Sequence, residues 1–356
     1  MADDRREKEE LTQRRHAIDL EIVALLAKRA RLSTEWAKSH PAQRAVLPST
    51  TRAALDVLAA APGGDLAPES LRSIFREVFA ACRALEAPVR VVYTGAPGAL
   101  AHAVAERTFG ASAAFASAED AVRAVDAVVH GEADFAVLPY ETSAEGPVLA
   151  TLLALSPSDL KIIAVEEVPT GLPLLTATGT LEDVKKVYLT SGARGLVNEG
   201  LVGLVPGAEI VEVATAADAC RLAAAEPTAA AVALPSVAAR EHLQVASRSL
   251  APETRKRFCV VSLRPASRTG KDATGILFTL SDEPGALFEV LKHFAERSVN
   301  LRKIHSRPAE AEGWQYLFFL EVSGHVTDRN VVTAVDGAKQ KAKTWRILGS
   351  YPAGAA

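Results

Sequence analysis

Apolar positions change pattern twice along the chain. From residue 9 to 38, Leu11, Ile18, Ile22, Leu25, Leu26, Leu32 and Trp36 recur at helical spacing without an intervening proline, which predicts one long helix that ends before Pro41. A second helix is expected from Thr51 to about Ala60, with Pro48 just upstream and a turn over Ala61–Gly64. A third follows Pro68, with Leu71, Ile74, Phe75, Val78, Phe79, Cys82 and Leu85 three or four residues apart. The first helix, about 45 Å long at 1.5 Å per residue, cannot bury its stripe against two shorter ones, so pairing with a second copy is expected.

After Pro88 short apolar runs alternate with alanine-rich helical stretches. Strands are expected at 91–95, 135–139, 161–168, 184–190, 210–214 and 231–235, and helices at 101–109, 118–130, 193–203 and 215–225. That alternation predicts a mostly parallel, helix-covered sheet, with room for two lobes and a cleft beyond the strand ends. Arg264–Asp272, RPASRTGKD, reads as an exposed connector. The remainder reads strand (275–280), turn and helix (282–297), strand (299–308), strand (314–324), helix (328–341) and strand (344–348), the ferredoxin-like order.

Length and composition narrow the classes. A chain of 356 residues predicts two to four cores, and 49 % hydrophobic residues can fill them. A net charge of −3 disfavours a nucleic-acid partner, and the arginines at 5, 6, 14 and 15 are diluted by glutamates, as on a solvated helix face. No apolar run approaches 18 residues, and MADDRREKEE lacks the apolar core of a secretory signal. Three unpaired cysteines and eight scattered histidines predict neither a disulfide framework nor a bound metal. A cytoplasmic protein without cofactor and without membrane or nucleic-acid contact is therefore expected.

Several stretches carry a resemblance in colinear order: AID-x-x-I-x-x-L-L-x-x-R at 17–29, IFREVFAACRALE at 74–86, YTGAPGALAHAVAERTFG at 93–110, VLPYETSAEG at 137–146, DEPGALFEVL at 282–291, SRP at 306–308, WQYLFFLEVSGH at 314–325 and LGSYP at 348–352. Together they resemble the bifunctional chorismate mutase–prephenate dehydratase family with a C-terminal ACT domain. The resemblance implies three domains, at 1–88 (all-helical, dimer-forming), 89–263 (two-lobed α/β) and 273–356 (ferredoxin-like, regulatory). It implies rearrangement of chorismate to prephenate in the first, conversion of prephenate to phenylpyruvate in the second, and binding of L-phenylalanine as effector by the third, in a homodimer or higher homo-oligomer.

The resemblance assigns residues as well. In the mutase-like domain Arg29 and Arg52 match arginines that hold the substrate. The arginine expected from the partner subunit falls on Thr12, with Arg15 one turn along as its substitute; the lysine that donates to the ether oxygen falls on His40; a glutamate falls on Ala53; and Cys82 and Glu86 stand at the late-helix site. A rearrangement that develops negative charge on an ether oxygen needs cationic donors and no nucleophile. In the dehydratase-like domain a Glu-Asn-Ser motif becomes Glu141, Thr142, Ser143, and a Thr-Arg-Phe motif becomes Lys256, Arg257, Phe258. A Ser-His-Pro-Gln stretch corresponds to Leu189–Gly192, and Ala99, Leu100 and Ala101 stand where hydroxyl and aromatic groups are usual. Thr254, two positions before Lys256, is too far along a strand to supply the missing hydroxyl. In the regulatory domain Gly285, Ala286 and Leu287 match the ligand-binding turn, and Ser306, Arg307 and Pro308 match a motif whose glutamate is replaced by His305. These changes make mutase activity more plausible than dehydratase activity. The competing reading is a catalytically silent homologue that senses an amino acid or regulates a partner enzyme.

Overall fold

The structure is a computed structural model and describes residues 2–40, 47–61, 65–143, 145–238, 241–251, 254–308 and 316–353. The break expected at Pro41, most of the Ala61–Gly64 turn and the start of the strand expected at Trp314 lie outside the described residues. The chain forms two compact units, one comprising residues 1–90 with 106–114, the other 91–105 with 115–356.

The first unit is helical: α1 (Ala2–Ser39), α2 (Pro48–Ala59) and α3 (Pro68–Glu86). Pro48 and Pro68 each sit in the first turn of their helix, where the missing N–H has no partner to lose. Leu55 and Ala59 of α2 and Ala80 and Cys82 of α3 are buried, and Arg72 Nε meets Asp56 Oδ1 at 3.1 Å. Among the described residues of the helical unit, nothing covers the stripe on α1. Leu11, Ile18, Ile22, Leu25, Leu32 and Trp36 remain between 47 and 64 % exposed.

The α/β region, whose residues 106–114 fall in the first unit, begins with β1 (Arg90–Thr94), α4 (Leu100–Phe109), β2 (Ala114–Ala118), α5 (Ala121–Val129), β3 (Phe135–Thr142), β4 (Gly146–Pro147), α6 (Leu149–Leu155) and β5 (Lys161–Pro169). A second lobe follows: β6 (Leu174–Thr176), β7 (Lys186–Thr190), α7 (Ser191–Leu204), β8 (Glu209–Val213), α8 (Ala216–Ala225), β9 (Ala229–Val232), α9 (Pro235–Ala238) and β10 (Gln244–Val245). The chain then returns through β11 (Arg255–Ser262) to the first lobe. The sheet order is β2-β1-β3-β11-β5 in the first lobe and β10-β6-β9-β7-β8 in the second. Both sheets are mixed rather than mostly parallel, because the returning β11 runs antiparallel to β3 and β5, and β6 runs antiparallel to β9.

The last part is β12 (Asp272–Leu280), α10 (Ala286–Ala295), β13 (Leu301–Pro308), β14 (Tyr316–Ser323), α11 (Arg329–Lys339) and β15 (Thr344–Pro352), with sheet order β13-β14-β12-β15. One face carries Ile276, Phe278, Phe318, Leu320 and Val322 against Val290, Phe294, Val331 and Val335 of the two helices. The other face joins the core of the first lobe, where Leu277, Phe319, Leu348 and Tyr351 pack with Leu138, Tyr140, Ile162 and Val261. Gly349 makes that approach possible, since a Cβ there would stand 2.3 Å from the carbonyl oxygen of Ile162. The expected connector is tied down at its end: Asp272 is buried and accepts hydrogen bonds from the hydroxyl of Thr269 at 2.6 Å and the amide of Gly270 at 3.0 Å.

Candidate active sites and regulatory turn

On α3, Phe79, Cys82, Arg83 and Glu86 share one face at spacings of three and four. Arg29 of α1 arrives there. Its guanidinium lies 4.8 Å from the centroid of the Phe79 ring, and that of Arg83 lies 5.8 Å from the same centroid. Nη1 of Arg29 is buried and has no hydrogen-bond partner among the described residues. Burial pulls Arg83 below the ordinary arginine range; Glu86 opposes this, and the neighbouring charge of Arg29 adds to it. A half-buried place with two guanidiniums, one holding an unanswered N–H, suits a carboxylate. Arg83 escaped the sequence reading; its one signal was a position four after Phe79 and three before Glu86.

Arg29 and Glu86 thus come together within one chain, and other assigned residues do not join them. Arg15 lies 14 residues up the same helix, about 21 Å away, and His40 lies 11 residues down, about 16 Å. The His40 ring stacks on Trp36 with centroids 3.9 Å apart, and its Nδ1 is 3.1 Å from the Trp36 carbonyl oxygen. Arg52 and Ala53 are exposed on α2, and Thr12 turns its hydroxyl to the carbonyl of Lys8 at 2.8 Å.

The two dehydratase-like motifs face each other across one antiparallel ladder, with Arg257 opposite Glu141 and Lys256 opposite Thr142. Because side chains alternate along strands, the ladder sorts them by face. Glu141 and Arg257 turn toward the C-terminal sheet, where Arg257 Nη1 reaches Glu141 at 2.6 Å and Nη2 reaches Glu321 at 3.0 Å. Glu321 is fully buried and also receives Arg302 Nε at 3.1 Å and the hydroxyl of Tyr351 at 2.7 Å. Lys303 donates to both Glu141 oxygens at 2.7 and 2.6 Å, and the Tyr140 and Tyr351 hydroxyls are 3.2 Å apart. Burial alone would raise the Glu321 carboxyl, but Arg257, Tyr351 and Lys303 outweigh it and hold the group below the usual carboxylate range. Phe258 is buried.

Thr142 and Lys256 point to the opposite face. The Thr142 hydroxyl accepts from the amide of Glu145 at 3.0 Å, and the Ser143 hydroxyl accepts from the amide of Arg255 at 3.0 Å. Thr254 does not reach this place, being paired through its hydroxyl with Thr170 where the chain crosses between lobes. From the second lobe, Thr190 and Thr215 cap α7 and α8, accepting from Ala193 at 3.3 Å and Asp218 at 3.1 Å. A Cβ on Gly98 of the first-lobe loop would come 3.7 Å from Ala217 at the start of α8. The first-lobe strand ends offer an ammonium and hydroxyls, and the second lobe offers two helix N-termini, each a kind of group suited to carboxylates.

In the C-terminal part, Gly285 is the N-cap of α10 with φ +83° and has nothing within 4 Å of an added Cβ. Ala286 and Leu287 are half-buried beside it. Ser306, Arg307 and Pro308 lie exposed on the edge strand β13, with His305 half-buried. Arg307 Nη2 donates to the carbonyl of Glu145 at 2.7 Å. Among the described residues there is no cluster of three or more metal-ligating side chains, no helix long and apolar enough to cross a membrane, and the three cysteines are free and buried.

Comparison with known proteins matches three family models in order: chorismate mutase type II at 11–87, prephenate dehydratase at 91–266 and the ACT domain at 274–338. A bifunctional chorismate mutase/prephenate dehydratase of Aquifex aeolicus is 34 % identical over 354 residues, spanning 97 % of this chain and 98 % of its own. Among solved structures, the prephenate dehydratase of Arthrobacter aurescens in complex with L-Phe is 32 % identical with TM-score 0.59, over 75 % of this chain and 93 % of that one. GqqA, described as a novel type of quorum-quenching acylase, is 25 % identical with TM-score 0.60, over 74 % of this chain and 98 % of that one. Full-length similarity, with all three family regions in sequence, establishes that the chain belongs to the bifunctional chorismate mutase/prephenate dehydratase family of phenylalanine biosynthesis.

Proposed function

We propose that the helical unit rearranges chorismate to prephenate in a homodimer in the cytoplasm, and that this is the stronger of the chain's two activities. The carrying observation is the buried Arg29 Nη1 without a partner, set with Arg83 around Phe79. The two guanidiniums hold the substrate carboxylates while its C–O bond breaks and a C–C bond forms, with no proton or covalent intermediate required. Arg15 of a second copy completes the site, since within one chain it stands too far away. The uncovered α1 stripe supports that second copy.

The α/β cleft takes prephenate, the product of the first step, by its carboxylates. Lys256 replaces the usual threonine hydroxyl as proton donor to the leaving hydroxyl, beside Thr142 and Ser143. Loss of hydroxyl groups at Ala99–Ala101, where α4 begins, makes this step the weaker one. L-Phenylalanine is the proposed effector of the C-terminal part, bound at Gly285–Leu287 and against Ser306 of a neighbouring copy; the L-Phe complex of the Arthrobacter relative supports it. The test is to follow chorismate loss, prephenate and phenylpyruvate with purified full-length protein. Chorismate consumption exceeding phenylpyruvate formation is expected. Absence of any turnover above buffer across pH 5–8 would leave the chain as a phenylalanine-binding regulator.

A further inference from the structure

The segment that carries Thr142 and Ser143 is held by a strand from another sheet. Between Leu301 and Lys303 the pairing of β13 with β14 shifts, so that Leu301 faces Val322 and Lys303 faces Glu321, with Arg302 as the extra residue. This bulge lets two consecutive cations serve the same face, Arg302 reaching Glu321 at 3.1 Å and Lys303 reaching Glu141 at 2.6 Å. Alternation then turns His305 and Arg307 to that face too. A Cβ on Gly146 would stand 3.0 Å from the His305 ring, and Arg307 Nη2 donates to the Glu145 carbonyl at 2.7 Å. One strand therefore grips the end of β3 and the turn to β4 at three successive points. It does so from behind, because Thr142 and Lys256 face the other way.

We propose that β13 is a positioning element for the cleft: Lys303 fixes the end of β3 through Glu141, while His305 and Arg307 fix the turn that follows. None of the three touches substrate. Two of them belong to the motif that the family resemblance assigns to effector binding, so a ligand seated against β13 acts directly on the backbone that presents Thr142 and Ser143. The cleft side of this inference rests on the prephenate reading above.

Three amides report the grip. Ser143 N donates to the Arg255 carbonyl at 2.9 Å, Glu145 N to the Thr142 hydroxyl at 3.0 Å, and Val148 N to the Tyr140 carbonyl at 2.9 Å. In full-length Lys303→Met, their hydrogen exchange is expected to accelerate about tenfold or more, while the amides of Cys259 and Val260 in the centre of β11 keep their rates. Lys303→Arg, which keeps the cation, should restore them. Unchanged rates at the three amides, acceleration spread equally to Cys259 and Val260, or an arginine variant as loose as the methionine one would each overturn the proposal. Added prephenate should slow the same amides in the unmodified protein. Local loosening by Lys303→Met without any protection by prephenate would discard the cleft reading and leave the role of β13 standing.

Discussion

The helical unit and the junction between the first-lobe sheet and the C-terminal sheet treat charge and apolar surface in opposite ways. At the junction, Glu141 and Glu321 meet Arg257, Arg302, Lys303 and the Tyr351 hydroxyl, and the surrounding faces are buried. In the helical unit, among the described residues, a row of large apolar side chains is exposed and a buried guanidinium nitrogen has no partner. A network answered within the chain contributes to holding the fold. One left open is shaped for something that has yet to arrive. The same residue type, arginine, should therefore respond oppositely to removal at the two places.

The largest effect is expected at the junction. Arg257→Met leaves Glu141 and Glu321 with a charge each and one cation fewer, and breaking a buried pair from one side costs about 3–5 kcal/mol. Urea unfolding followed by a probe in the second unit should show that loss, and a change below ~1 kcal/mol would mean that the network is ornamental there. The pH dependence sharpens the point. Because Glu321 is held below its ordinary range in the folded chain, the unfolded chain binds its proton more readily. Its stabilising contribution is complete above the unfolded value, about 4.3, and is lost as pH falls through the lower folded value. Between pH 5 and the acid limit of folding, the unmodified protein should lose more stability than Glu321→Gln does.

Next comes the bare stripe. Leu25 is 62 % exposed in the chain, and if a second copy covers it, Leu25→Lys removes the contact twice. At about 2 kcal/mol per buried leucine, roughly 4 kcal/mol is lost per dimer, or about a thousandfold in dissociation constant. Sedimentation should then find the 37.6 kDa monomer at micromolar concentration for the variant and a dimer for the unmodified protein. A monomer in both cases would remove the second copy from the mutase proposal.

Arg29→Met should behave as the mirror of Arg257→Met. Chorismate turnover is expected to fall by about 10²–10³, the usual consequence of losing one preorganised donor to developing negative charge. Stability should hold or rise, because a buried N–H with no partner costs the free protein about 1–3 kcal/mol. A variant that is destabilised with its turnover intact would place Arg29 among structural arginines.

How much of this was legible in the sequence follows from how local each signal is. The stripe of α1 and the β-α-β-β-α-β order were readable because each depends on spacing within one element. Strand β2, AFASA, was not, because alanines give no contrast between faces. Strand β11 was seen only as a motif, Lys256–Phe258, and its pairing with β3 required a register set by the whole sheet. That pairing is what sends Glu141 and Arg257 away from Thr142 and Lys256, so residues adjacent in the motif split between two jobs. Lys303 carried no signal at all, since its partner lies 162 residues away.

The smallest expected stability change tests the regulatory turn. Gly285 sits at φ +83° with open space around it, so a larger residue there meets backbone strain and no clash. A bulky replacement is consequently not neutral to the fold; a β-branched residue in the left-handed region costs roughly 1–2 kcal/mol. Asparagine tolerates that region, and Gly285→Asn should cost well under ~1 kcal/mol while filling the space beside Ala286 and Leu287. Strain and ligand contact then separate. In millimolar phenylalanine the unmodified chain should melt higher, by the linkage between binding and folding, and Gly285→Asn should melt at nearly the same temperature with and without the amino acid. Were the shift to survive in Gly285→Asn, phenylalanine would have to bind elsewhere. Were it absent from both proteins, the open turn of the C-terminal sheet would be a structural N-cap only.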